Sequence, residues 1–208
     1  VYNLHHADSD QDFLRVAAAP SDEFFGLTPP IGKRGTSVES HPDRVTHELG
    51  KFCALALSCN PSVLETLWIE PRFHLVDNEI GRELIQERGR FLHADGVHHA
   101  FIGYARQQFH KLAQRADGTF SSDTRSRSLK HARHLWLLVR QGVDLYKTGT
   151  MRVTLTDDER AECFAFAERA VANPEVARVV VGIAVVSLER TVSPLPSAPD
   201  RDWADGWL

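Results

Sequence analysis

Hydrophobic and polar residues alternate along this chain in two regimes, a short N-terminal stretch of strand-like and turn-like segments and a long helical remainder. The mostly apolar run Phe13-Leu14-Arg15-Val16-Ala17-Ala18-Ala19 stops at Pro20, so Ser9 to Ala18 reads as a strand. Ser21-Asp22-Glu23 ahead of Phe24-Phe25 predicts a short capped helix that ends before Pro29-Pro30, and Ile31 to Pro42 reads as a loop. Asp43 to Thr46 is long enough for a second strand. Leu49, Phe52, Cys53, Ala56 and Leu57 then recur at helical spacing within Glu48 to Ser58. Asn60-Pro61-Ser62 ends that helix and caps the next, Val63 to Trp68.

Beyond residue 70 the period is helical almost throughout. Gly81–Arg90, Gly96–Ala116, Ser128–Thr148 and Asp157–Ala172 carry apolar residues three and four apart. In the third of these, Leu135, Leu138, Val139 and Val143 form the predicted buried stripe. Val179 to Leu188 fits a buried helix or a strand, and the charges around it, Glu175 and Glu189-Arg190, favour a helix. The tail from Pro194 is Pro-rich and reads as irregular, with Trp203 and Trp207 available to dock on the body. The expected architecture is α+β: a small mixed sheet flanked by helices over residues 1–70, a helical domain over 71–190, and a tail over 191–208.

Composition narrows the class without naming a function. With 208 residues, 42% hydrophobic and 25% charged, the chain is long enough for one large domain or a domain with an appendage. The 24 Lys and Arg against 28 Asp and Glu, a formal charge of −4, argue against a surface coated in basic charge. Val179 to Val186, the longest uncharged apolar run, is far shorter than the ~20 residues that cross a bilayer. Cys53, Cys59 and Cys163 form no C-x-x-C pair and read as reduced thiols in the core of a cytoplasmic protein. The first residue is Val, with no leader-like segment after it, so the chain reads as a fragment.

The densest chemistry lies in Asp8-Ser9-Asp10-Gln11-Asp12. On a strand, Asp10 and Asp12 point to the same side and set two carboxylates close together, which favours a compensating cation. Hard oxygen donors suit Mg²⁺ or Mn²⁺. Taken alone, D-S-D also fits a solvated turn, because Asp and Ser form turns readily.

The segment Val1-Tyr2-Asn3-Leu4 followed by Ser9-Asp10-Gln11-Asp12-Phe13 resembles the end of the nucleotidyltransferase signature of the DNA polymerase beta-like superfamily, a Gly-Ser turn followed by S-D-x-D on a strand. Asn3 stands where that pattern usually has Gly, and the Gly-Ser itself falls before Val1. Four further segments follow in order: Asp43 to Leu57, Asn60 to Trp68, Phe101 to Gln108 and Lys130 to Leu135. Together they resemble the bacterial and phage family of predicted nucleotidyltransferases that includes RNA-ligase-associated members, over roughly residues 1 to 150.

The resemblance implies transfer of an NMP from an NTP to an acceptor hydroxyl of an RNA end, a protein or a small molecule, with pyrophosphate released. It implies Asp10 and Asp12 as ligands of two Mg²⁺ or Mn²⁺ ions. A third carboxylate on a neighbouring strand completes such a site; Asp43 is the choice, with Glu48 the competitor because it also suits the start of the following helix. Ser9, Lys130, His131 and His134 are expected to contact the nucleotide. Lys130 and His134, four apart, share a helix face, and a solvated basic face is the plainer reading of the same residues. With the Gly-Ser turn missing, weak triphosphate binding is expected.

Other residues suggest less. His5-His6 and His98-His99 are sequence neighbours whose side chains diverge, which disfavours a shared zinc ion. Lys33-Arg34 between glycines reads as a solvated loop, with phosphate contact the alternative. Glu65, on an apolar helix, needs a partner if buried, and Lys51 is one candidate. Two other functional classes stay open. One is a noncatalytic nucleotide- or RNA-binding regulator on the same fold, and the other a phosphohydrolase in which His131 or His134 joins the carboxylates at the ion.

Overall fold

A computed structural model describes residues 1–4, 12–27, 30–114 and 122–208. Three strands form one sheet in the order β1-β3-β2: β1 is Phe13–Ala17, β2 Thr36–Ser40 and β3 Asp43–Glu48. The central strand β3 runs parallel to β1 and antiparallel to β2. β2 and β3 are joined through His41 and Pro42, with Ser40 opposite Asp43. β2 falls in the stretch expected to be a loop. Its residues T-S-V-E-S hold one apolar side chain, Val38, which is exposed, so an edge strand with little to bury gives almost no hydrophobic signal. The Ser21–Phe25 segment is a 3-10 turn without a side-chain cap, rather than a capped helix.

The helices are α1 (Leu49–Leu57), α2 (Pro61–Thr66), α3 (Glu79–Gln86), α4 (Ala94–Ala113), α5 (Ser122–Thr148), α6 (Asp157–Ala172), α7 (Glu175–Glu189) and α8 (Arg201–Trp207). Local chemistry fixes several of their starts. The Glu48 carboxylate accepts from the amides of Gly50 and Lys51, and Asn60 Oδ1 accepts from Val63 N with Pro61 in the first turn. Thr156 and Glu159 form a reciprocal capping box at α6. The uncertain run Val179–Leu188 is helical and part of α7.

The tail departs from expectation in part. It closes on a helix, α8, whose cap is Asp200 accepting from Trp203 N. Trp203 packs edge-on against Phe91 at 5.6 Å and stacks with Trp207 at 5.9 Å, while Arg90 pairs with Asp200 at 2.7 Å. The tryptophans therefore do dock on the body.

α4 and α5 form the axis of the helical part. Phe101, Ala105, Leu135, Leu138, Gln141 and Leu145 are all fully buried along it. The buried stripe of α5 differs from the expected one: Val139 and Val143 are only half-buried and line a groove against α7, while the inner face continues through Gln141 to Leu145. Leu14 and Val16 of β1 pack against the same apolar cluster that holds α1, α2, α4 and α5, so the sheet lies directly on the helices. Cys53, Cys59 and Cys163 are free and buried, and burial pushes each thiol up to about 11. Among the described residues no helix is long and apolar enough to cross a membrane.

Candidate active site

The sheet brings one of the signature carboxylates to the third. Phe13 of β1 is the register partner of Arg44 in β3. Asp12 and Asp43, each one residue earlier, therefore sit side by side where the two parallel strands begin, a strand spacing of ~4.8 Å apart. Because equivalent residues of parallel strands point to the same face, Asp12 and Asp43 share the face of Leu14 and Val16, which is turned toward the helices. Both aspartates are exposed, and among the described residues neither forms an ion pair. Ser9 and Asp10, as well as His5 and His6, lie outside the described residues.

Glu48 occupies a different place. It pairs with Ala17 at the far end of β1, five residues from Asp43, or ~16 Å along the strand. Both of its carboxylate oxygens are engaged at 3.0 Å by the amides that open α1. Around that far end Arg34, Gly35, Glu48 and Lys51 line a cavity of about 360 Å³ with Phe24, Leu27 and Pro30. Lys33 and Arg34 thus flank the opposite end of the sheet from Asp12 and Asp43.

Asp12 and Asp43 fit a hard divalent cation in donor chemistry: two exposed carboxylates without an ion pair among the described residues, adjacent by register. Among the described residues no three His, Cys, Asp or Glu side chains come together as a ligand set. The other carboxylate of the S-D-x-D pair, Asp10, is outside them.

Tyr2, in the N-terminal arm, meets a buried acid. The Tyr2 hydroxyl donates to Glu65 Oε2 of α2, and Glu65 is 8% exposed. Burial drives the Glu65 carboxyl up to about 7, and the hydrogen bond from Tyr2 and the nearby amide of Gln141 of α5 only partly offset it. The Gln141 amide approaches Glu65, yet neither of its polar atoms completes a hydrogen bond of normal geometry. Tyr2 is half-buried with its hydroxyl end innermost. Desolvation, the Glu65 charge and hydrogen bond, and the charge of Asp12 together raise its pKa well above the usual phenol value. The partner of Glu65 is accordingly Tyr2, not Lys51.

The basic face lies further along α5. Lys130 is exposed, and His131 Nδ1 shares a hydrogen bond of 2.8 Å with Gln108 Oε1 of α4. His134 is half-buried; desolvation, then the charges of Lys111 and Lys130, lower its pKa. Two ammonium groups whose charges both reach this imidazole mark a locally positive surface. Lys111, Gln108, Gln141 and Tyr2 were not singled out by the sequence. Gln141 alone carries a legible signal, as a polar residue three after Leu138 and four before Leu145 on an apolar stripe.

His98 Nε2 is buried without a hydrogen-bond partner among the described residues, and the ring packs edge-on against His99 at 5.2 Å and Tyr146 at 6.4 Å. The His99 ring instead bonds the Asp95 carbonyl at 2.7 Å.

Comparison with curated proteins and with solved structures finds no match in either set. Residues 1–156, which hold the whole sheet and helices α1 to α5, match the model of the RlaP family. The chain belongs to that family, the RNA repair pathway DNA polymerase beta family, and so to the DNA polymerase beta-like nucleotidyltransferases.

Proposed function

We propose that the protein is a metal-dependent nucleotidyltransferase that moves an NMP from an NTP to an acceptor hydroxyl; a family described by an RNA repair pathway supports an RNA end as the acceptor. The observation that carries the reading is the register of β1 and β3, which sets Asp12 of the S-D-x-D segment beside Asp43, with neither in an ion pair among the described residues. Asp10, Asp12 and Asp43 would hold Mg²⁺ or Mn²⁺. Bound divalent ions supply stabilisation of the attacking and leaving oxygens in an in-line displacement.

The chain's own residues do the rest. The acceptor oxygen forms a bond to the α-phosphorus and gives up its proton to solvent as the bond to the bridging oxygen breaks and pyrophosphate leaves. Asp43, beside the turn that joins β2 to β3, orients the acceptor hydroxyl. Ser9 binds the triphosphate, and Lys130, His131 and His134 meet its negative charge from α5. Since little covalent chemistry falls to the protein, positioning and charge complementarity account for most of the acceleration.

The test is incubation of the protein with labelled NTPs, Mg²⁺ or Mn²⁺ and an RNA pool. Transfer of label to RNA, lost in Asp12→Ala, is the expected result. No transfer to any acceptor, together with NTP binding that is indifferent to Asp10→Ala and Asp12→Ala, overturns the reading and leaves a noncatalytic binding role on the same fold.

A further inference from the structure

We propose that the outer face of α7 is where two copies of this chain meet, the two helices running antiparallel and crossing at Gly182 and Ile183. The contact lies beyond residues 1–156, which the family match covers, and does not rest on the nucleotidyltransferase reading.

α7 contains Val179 to Val186, the longest uncharged apolar run of the chain. Its inner face, Ala177, Val181, Ala184 and Leu188, is buried. The opposite face carries Val179, Ile183 and Val186, which are 50%, 64% and 43% exposed. A helix that is apolar all round belongs inside a protein, and the described residues of this chain cover one side of it. An apolar strip left in water marks a contact surface. Half-buried Val139 and Val143 of α5 extend the strip, lining with Val180 and Ile183 a groove of about 300 Å³ along the edge of α7.

The charges at the two ends of the strip decide what covers it. At about 100° per residue, Glu175, Val179, Gly182, Ile183, Val186 and Arg190 fall within an arc of about 100°. A second copy set antiparallel, with a two-fold axis between positions 182 and 183, brings Val179 to the partner's Val186. It also brings Glu175 to the partner's Arg190 at both ends at once, and Arg178 beside the partner's Glu189. Parallel helices would instead set glutamate on glutamate and arginine on arginine. The face is thus complementary to itself in one direction, as an isologous contact requires.

The groups involved are available. Arg190 forms no ion pair among the described residues, and Glu175 takes Arg178 at 2.6 Å on Oε2, which leaves Oε1 for a second cation. At the crossing, a Cβ added to Gly182 meets nothing within 4 Å among the described residues. The glycine answers no need of its own subunit, and it lets two backbones approach to the near end of the ~8–10 Å range of packed helices.

A face of 15 residues, ~22 Å long, is small for a protein contact, so a Kd on the order of 10–100 µM is expected. The test is sedimentation equilibrium of the full chain from roughly 5 to 500 µM, which brackets that value. The parent is compared with Ile183→Asp, Glu175→Arg, Arg190→Glu and the double variant Glu175→Arg/Arg190→Glu, with thermal unfolding recorded for each. Ile183→Asp should raise Kd at least about tenfold, and each single charge reversal about five- to tenfold. The double variant exchanges the charges across the axis and should return to within about threefold of the parent. A parent that stays monomeric throughout overturns the proposal and leaves the strip to a different protein. A dimer indifferent to Ile183→Asp, or a double variant no tighter than the single reversals, overturns it as well. If Ile183→Asp does not fold, the charge series decides by the same criterion.

Discussion

Tyr2 and Glu65, separated by 63 positions in sequence, meet through a hydrogen bond that ties the start of the chain to helix α2. The acceptor is an acid whose burial holds its pKa near neutrality, so that burial makes folding depend on pH in a direction opposite to that of most carboxylates, with the Tyr2 hydrogen bond offsetting part of the effect.

The sign follows from the two pKa values. Unfolded, Glu65 titrates near 4.5; folded, at about 7, so between these values the native state binds more protons than the unfolded state. Stability from this group is fully present below about pH 4.5 and is lost as pH rises through 7. The full swing is on the order of 3 kcal/mol. Urea unfolding of the parent and of Glu65→Gln at pH 5 and pH 7.5 isolates it. The parent should lose stability relative to the variant at the higher pH, and a constant difference between the two proteins would refute the assignment.

The crossing of α4 and α5 makes a second prediction. A Cβ at Gly142 would stand 2.6 Å from Cβ of Phe101, a side chain with no exposure and no room to withdraw. Gly142→Ala should therefore destabilise by about 1–3 kcal/mol even though alanine is the better helix former. At Gly103, two residues from Phe101 in α4, an added Cβ meets nothing within 4 Å among the described residues. Gly103→Ala should stabilise by roughly 0.5–1 kcal/mol. Opposite shifts in urea midpoint for two identical substitutions check the packing directly.

Much of this architecture is legible in the sequence, and the exceptions have physical causes. α6, with its Thr156 capping signal and an apolar period over Cys163, Phe166, Ala167 and Ala170, occupies the predicted span Asp157–Ala172. β2 escapes notice because it buries almost nothing. α8 hides behind a Pro-rich approach, and its stability comes from tertiary contacts to Phe91 and Arg90 that periodicity does not record. At the candidate site, Asp12 and Asp43 are readable as residue types, while their adjacency is a matter of strand register. The Tyr2–Glu65 pair is invisible locally, since a lone tyrosine in a polar segment carries no information about an acid in a distant helix.

Glu159 concentrates several contacts on one carboxylate: the Thr156 amide at 2.8 Å, the Thr156 hydroxyl at 3.1 Å, Arg140 at 2.8 Å, and Arg152. Desolvation alone would raise its pKa, but the Thr156 amide and the two arginines outweigh it and hold it below the ordinary glutamate value. Its stabilisation is thus present above the unfolded pKa and lost as pH falls through the folded one, the reverse of Glu65. Glu159→Ala should cost about 2 kcal/mol in urea unfolding at neutral pH, because it removes the capping box and leaves the half-buried Arg140 without its carboxylate. A loss within experimental error would show the cluster to be inert.

The choice between Asp43 and Glu48 as third carboxylate is decided by what each removal disturbs. Asp43 is exposed at the start of β3, makes no ion pair among the described residues and caps nothing, so Asp43→Asn should leave the unfolding midpoint unchanged. If Asp43 faces the ions and the acceptor hydroxyl, the same variant should lower nucleotidyl transfer by at least about 100-fold, the scale set by losing one electrostatic contact to a transition state. Glu48→Ala removes the cap of α1 and should cost ~1 kcal/mol. It should change transfer by much less, since the residue stands ~16 Å along the strand from Asp43. Measuring stability and label transfer on both variants separates the roles. Strong loss of transfer in Glu48→Ala with parent-like activity in Asp43→Asn would move the reacting centre to the other end of the sheet, beside Arg34 and Lys51.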